Sequence, residues 1–191
     1  MIKPSEIQQK ARAVGVRDQQ IEKDYILSWI LFGISKHEYL SKTIVFKGGT
    51  VLKKVYFEDY RFSEDLDFTL LNSEILNEQI FAWFKEVFEF MQDEANIPLE
   101  IIDNNEHEDG GINFYISYIA IPNQYLSSKI PLNKLLRENG CNYFVSIRFL
   151  INKNNISVDY VQTVFPLARE RKSMLKQPLN CMPKMDSDPT A

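Results

Sequence analysis

Two aspartates at alternate positions, Asp65 and Asp67, follow a Gly48-Gly49-Thr50 turn with one short helix between them. A short apolar strand, Ile44 to Phe46, runs into the two glycines, and Thr50 to Tyr56 reads as the helix. Glycine has no Cβ, so a phosphate can approach the backbone at Gly48 and Gly49. The first N–H groups of the helix, including that of Thr50, lack intrahelical partners and favour an anion. Asp65 and Asp67 fall on a second apolar strand. Residues two apart on a strand share a face, with Cα atoms about 6.6 Å apart. The two carboxylates therefore point one way while Leu66 and Phe68 point to the core. Like charges this close are costly unless a cation lies between them. Magnesium fits, because it takes oxygen ligands and binds one or two carboxylates together with substrate phosphates.

Taken together, Gly48-Gly49-Thr50-x-Leu52-x-Lys54 followed by Arg61-Phe62-Ser63-x-Asp65-x-Asp67-Phe68 resembles the signature of the AbiEii/AbiGii-type toxins, members of the nucleotidyltransferase-fold superfamily. Ile21-Glu22-Lys23-Asp24-Tyr25 resembles the helix that precedes the core in that family. The resemblance is good over residues 18–70, thinner to about 165, and absent beyond.

It implies an α/β (α+β) nucleotidyltransferase core, a mixed sheet flanked by helices. The implied reaction moves a nucleoside monophosphate from a nucleoside triphosphate to an acceptor hydroxyl. Asp65 and Asp67 would hold two magnesium ions. Asp159, between Val158 and Tyr160 on a later strand, stands where the fold places its third carboxylate and would join them as catalytic residue and metal ligand. Gly48, Gly49 and the Thr50 N–H would hold the β and γ phosphates with help from Ser63, and Lys54 and Arg61 would neutralise charge. Lys47 and Lys53 are weaker candidates.

The acceptor the resemblance suggests is a tRNA 3′ end, in a toxin–antitoxin or phage-defence setting with a separate antitoxin protein. Family members usually continue into a larger helical region after the third carboxylate strand. Here that region is expected to be short or missing, which keeps open a second reading: a truncated, inactive nucleotide- or antitoxin-binding module. A P-loop kinase or ATPase is a poor third reading, because Gly-x-x-x-x-Gly-Lys-Ser/Thr does not occur at this turn.

The composition sets bounds on this. The chain has 191 residues, 45% of them apolar and 13% aromatic, enough for one sizeable core. A net charge of −4 gives no overall nucleic-acid signature, so any such contact needs a local basic patch. Cys141 and Cys181 are not in metal-ligand spacing and read as free thiols of a cytoplasmic protein. Pro4, Ser5 and Glu6 break any early apolar run, so no signal peptide is expected. The apolar run Tyr25–Ile34 is too short to span a bilayer.

The elements that must position the site follow from periodicity. Ser5-x-x-Gln8 predicts a capping box opening a helix over 6–14 that stops at Gly15, and Asp18 predicts the cap of a second helix reaching Lys36. Ile21, Tyr25, Ile26, Trp29, Ile30 and Ile34 mark its buried face. His37 is expected to interact with its last carbonyls. A long amphipathic helix is predicted over 73–95. Strands are predicted at 98–102, 112–121, 143–151 and 156–164, with residues 104–111 as a hairpin connection and His107 in a solvated loop. The last two strands read as antiparallel partners, and strand 156–164 is expected beside strand 65–71. Residues 1–170 are read as the catalytic domain and 171–191 as a basic segment with a disordered tail.

Overall fold

The computed structural model describes residues 2–57, 59–107, 111–119 and 142–151, with the side chains of 146–149 in the last stretch. The described elements are α1 (Pro4–Val14), α2 (Asp18–Lys36), α3 (Leu40–Thr43), β1 (Ile44–Lys47), α4 (Gly48–Val51, continuing as a π-turn over Leu52–Tyr56), β2 (Asp65–Leu70), α5 (Asn77–Ala95), β3 (Leu99–Glu106), β4 (Ile112–Ile119) and β5 (Asn142–Ile151). They form a mixed α+β fold.

The helix starts differ from expectation. Pro4 occupies the first helical position of α1, where its missing N–H costs nothing. Lys3 becomes the cap, with its N–H donating to Glu6 Oε2 at 2.7 Å, so Ser5 lies inside the helix. Arg17 caps α2 in the same way through Gln20 Oε1, at 3.3 Å. Asp18 instead stands in the first turn, where a carboxylate favours the dipole. Gly15 ends α1 at φ 76°, its N–H donating to Ala11 O at 2.8 Å. α5 starts at Asn77 rather than 73, because Asn72 Oδ1 accepts the Glu74 N–H and holds this stretch in a turn.

The stripe predicted for α2 is buried, and α2 packs against α5, whose Ile80, Phe84, Val87, Phe88 and Met91 are buried too. Gly33 makes that contact possible: a Cβ there would lie 2.7 Å from Val87 Cγ1. The His37 N–H donates to the Gly33 and Ile34 carbonyls at 3.0 and 3.2 Å, as expected, while its ring serves the next turn. Its Nδ1 accepts from the Tyr39 and Leu40 N–H groups, at 3.3 and 3.2 Å, and its Nε2 lies 3.1 Å from Glu86 Oε2. The ring therefore caps α3, the turn that delivers β1.

The sheet has the order β1-β2-β5-β4-β3. β2 and β5 run parallel, and every other pair is antiparallel. The β3–β4 hairpin is as expected, but β3 runs on through Glu106, where it still pairs with Ile112. β5 pairs with β2 along Asp65–Leu70 and β1 takes the other side along Asp67–Leu70, so β5 is a strand beside the two aspartates that was not expected there, and strand 156–164 lies outside the described residues. The expected 143–151/156–164 hairpin, Asp159, Cys141, Cys181 and the 171–191 segment lie outside the described residues.

Rings on the buried face fix the register. Phe46 and Phe68 lie 5.5 Å apart, Phe68 and Phe149 stack at 5.3 Å, and Phe149 and Phe114 stack at 5.8 Å. Phe84 of α5 packs edge-on against Phe114 at 5.0 Å. Side chains alternate along a strand, so a one-residue slip would expose this ladder to water. No described helix is long and apolar enough to cross a membrane.

Candidate active site

The aromatic ladder places the chemistry on the opposite face. Leu66 and Phe68 are fully buried, so Asp65 and Asp67 project together from the other side of β2, as the alternation requires. Asp67 stands directly across from Lys47 of β1 and from Arg148 of β5. Arg148 Nη1 lies 3.5 Å from Asp67 Oδ1. The same row continues through Asn113 of β4 to Asn105 of β3. Two residues back, Asp65 lies across from Ser146. Asp67 is thus held between two cations on neighbouring strands.

The electrostatics follow. Partial burial pushes the Asp65 carboxyl above its usual range; the neighbouring Asp67 charge adds to this, and Arg148 opposes it. Burial holds the Lys47 ammonium below the usual lysine range, against the pull of Asp67 and with help from Arg148. Glu64, just before Asp65, is paired with Lys23 of α2, which brings Lys23 beside the start of β2.

The glycine turn sits against this pair. Gly48 adopts φ 78°, a conformation costly for any residue with a Cβ. A Cβ at Gly48 would also overlap the Asp67 carboxylate. The group that approaches Gly48 most closely is therefore Asp67 itself. At Gly49 the surroundings are Ser63 Oγ, 3.3 Å from where a Cβ would stand, and the Arg61 guanidinium at 3.9 Å. Thr50 is buried and its hydroxyl donates to the Asp65 carbonyl, tying the helix start to the start of β2. Gly48, Gly49, Thr50, Ser63, Arg61, Asp65 and Asp67 thus meet in one place.

Lys54 does not join them. Its ammonium lies 2.6 Å from Asp24 Oδ2 and 2.8 Å from Ser28 Oγ, and its side chain is only 9% exposed. It also borders an apolar cavity of about 480 Å³ lined by Phe46, Phe68 and Leu40, on the face of the sheet away from the carboxylates.

Arg148 is the residue the sequence reading missed. The signal was present: Ile147 and Phe149 alternate into the core, which leaves Ser146 and Arg148 on the other face. What was lacking was the pairing of this strand with β2. Asn113 was missed as well. Its Oδ1 is buried with no hydrogen-bond partner.

Two carboxylates on one face suit a cation that keeps further positions for water and phosphate, so the donor set fits magnesium. Among the described residues no group of three His, Cys, Asp or Glu side chains is placed to hold a metal alone.

Residues 29–143 match the family model described as nucleotidyl transferase AbiEii toxin, type IV toxin–antitoxin system. The match contains the glycine turn, both aspartates and the intervening segment. No curated protein matches the chain.

Proposed function

Because the chain belongs to the AbiEii nucleotidyltransferase toxin family, we propose that it transfers a nucleoside monophosphate from a nucleoside triphosphate to an acceptor hydroxyl, in a magnesium-dependent reaction centred on Asp65 and Asp67. The observation that carries this is the meeting of the glycine turn with the paired carboxylates, in which Asp67 packs against the Cα of Gly48. Asp65 and Asp67 would hold the magnesium, which when bound neutralises triphosphate charge and lowers the pKa of a coordinated hydroxyl.

The remaining roles belong to the chain's own groups. The N–H groups at the start of α4, which have no acceptor within the helix, would receive phosphate oxygens. Ser63 and Arg61, gathered over Gly49, add a hydroxyl donor and a planar cation suited to two oxygens at once. Arg148 and Lys47 flank Asp67 and supply positive charge where pyrophosphate would depart. Asp159 remains the proposed third carboxylate. Lys54, though engaged inside the fold, holds the π-turn against α2 and so steadies the phosphate turn.

The proposed acceptor is the 3′ end of a tRNA, and the proposed partner a separate antitoxin protein that restrains the activity in the cytoplasm. Calorimetric titration of the protein with each nucleoside triphosphate, with and without magnesium, tests the site. Binding that needs magnesium and is lost in Asp67→Asn supports the reading. Binding without any transfer to total tRNA would favour the inactive-module reading instead.

A further inference from the structure

We infer that the cavity between α2 and the elements flanking the glycine turn binds a small amphiphile, an apolar body carrying one carboxylate, whose head pairs with Lys36. This site is separate from the carboxylate pair and does not depend on the nucleotidyltransferase reading.

The apolar walls set the body of the ligand. The cavity measures about 480 Å³, within the range of ~300–1,000 Å³ usual for small-molecule pockets. It opens between α2, α3, β1 and the π-turn, on the helical side of the sheet. Leu40 and Phe68 are fully buried beside it, while Leu31, Phe32, Ile44 and Phe46 are only partly covered. Protein interiors are packed like organic crystals, and voids larger than a water are few. Wall atoms that face such a void lack dispersion partners on that side. A ligand with an apolar body supplies those partners and takes its own surface out of water.

The polar lining groups set the head. Ser28 Oγ donates to Asp24 O at 2.7 Å, Ser35 Oγ to Phe32 O at 2.7 Å and Ser41 Oγ to Glu38 O at 3.3 Å. A hydroxyl has one proton to give, so none of the three is left to donate to a ligand. Lys54 Nζ has three protons and meets three acceptors: Asp24 Oδ2 at 2.6 Å, Ser28 Oγ at 2.8 Å and Asp24 O at 3.3 Å. Lys36 differs. It is exposed at the mouth, and its ammonium lies 5.3 Å from the centre of the Phe32 ring. Among the described residues it is in no ion pair. Although Lys36 ends α2, its side chain turns back over the preceding turn, which brings the charge above the Phe32 wall. Among the described residues the charged groups of the lining are Lys36 and Lys54 alone, so no carboxylate of the cavity repels an anion. One lysine balances one negative charge, which suits a carboxylate.

The test uses the full chain, titrated calorimetrically with octanoate, 1-octanol and acetate. Wild type is expected to bind one octanoate per chain, saturably, and to bind no acetate over the same range. Octanol should bind about threefold more weakly than octanoate, the size of one surface ion pair. Lys36→Met keeps the apolar stem and removes the charge. It should bring octanoate to the level of octanol and leave octanol unchanged. Leu31→Trp puts a ring into the cavity and should remove binding of both. If the Trp variant fails to fold, the Lys36→Met comparison, made at an exposed position, still decides. A folded wild type that takes up no octanoate, or takes up many copies without saturation, would overturn the inference. So would octanoate binding that survives in folded Leu31→Trp, or a Lys36→Met variant that still prefers octanoate to octanol.

Discussion

Arg148 Nη1 stands 3.5 Å from Asp67 Oδ1 across the parallel β2–β5 pair. The guanidinium occupies a flank of the carboxylate that a metal ion would share. Arg148 is 48% exposed, so the pair contributes under about 1 kcal/mol to folding. Its effect should appear in binding. Arg148→Ala is expected to bind magnesium more tightly in the absence of nucleotide, because a competing cation is gone. It should bind magnesium-nucleotide more weakly, because a phosphate-facing charge is gone. Two titrations check this, and movement of both affinities in one direction would contradict it.

Gly48 is required twice over, by its φ of 78° and by the Asp67 carboxylate against its Cα. Gly48→Ala should destabilise the protein by at least about 2 kcal/mol in denaturant unfolding. Adding Asp67→Ala should recover the part due to the collision and leave the backbone part. A loss below about 0.5 kcal/mol for the single variant would show that the turn adapts.

Lys54 joins the π-turn to α2 through Asp24, whose side chain is 26% exposed. Lys54→Met should cost about 2 kcal/mol, less than the 3–5 typical of breaking a fully buried pair. Nucleotide affinity of the folded variant should change little. Unchanged thermal stability together with a large loss of affinity would move Lys54 to the ligand.

The raised Asp65 carboxyl gives a pH signature in the metal-free protein. Its proton is held more tightly in the folded than in the unfolded chain, whose reference value is 3.8. The associated stability is complete below that value and is lost as pH rises through the higher folded value. Asp65→Asn is therefore expected to match wild type in melting temperature at the acid end and to exceed it at neutral pH in a chelator. Saturating magnesium should reverse the order. An Asn variant less stable than wild type at neutral pH without metal would assign Asp65 a structural role.

Local pattern carried much of this architecture. The alternation at Leu66 and Phe68 placed Asp65 and Asp67 on one face, and helical spacing found the buried stripes of α2 and α5. Pairing between distant strands was not legible. The sequence reading set strand 156–164 beside β2, and the parallel crossover to β5 leaves no local trace in either strand. Arg148 and Asn113 depend on that pairing, so neither stood out. The helix caps misled for a different reason: Ser5 and Asp18 have the right side chains, but Pro4 and the Glu6 and Gln20 side chains set the starts earlier. Lys54 looked free because its partners, Asp24 and Ser28, lie on another helix.

The central claim is that Asp65 and Asp67 support nucleotidyl transfer. Its most direct test is incubation of the full chain with α-labelled nucleoside triphosphates, magnesium and total tRNA, followed for both labelled RNA and pyrophosphate. The account predicts label on RNA with pyrophosphate released in equal amount, abolished by chelation and by Asp67→Asn in a folded variant. Transfer that persists in Asp67→Asn, or no transfer by a wild type that binds magnesium-nucleotide, would contradict it.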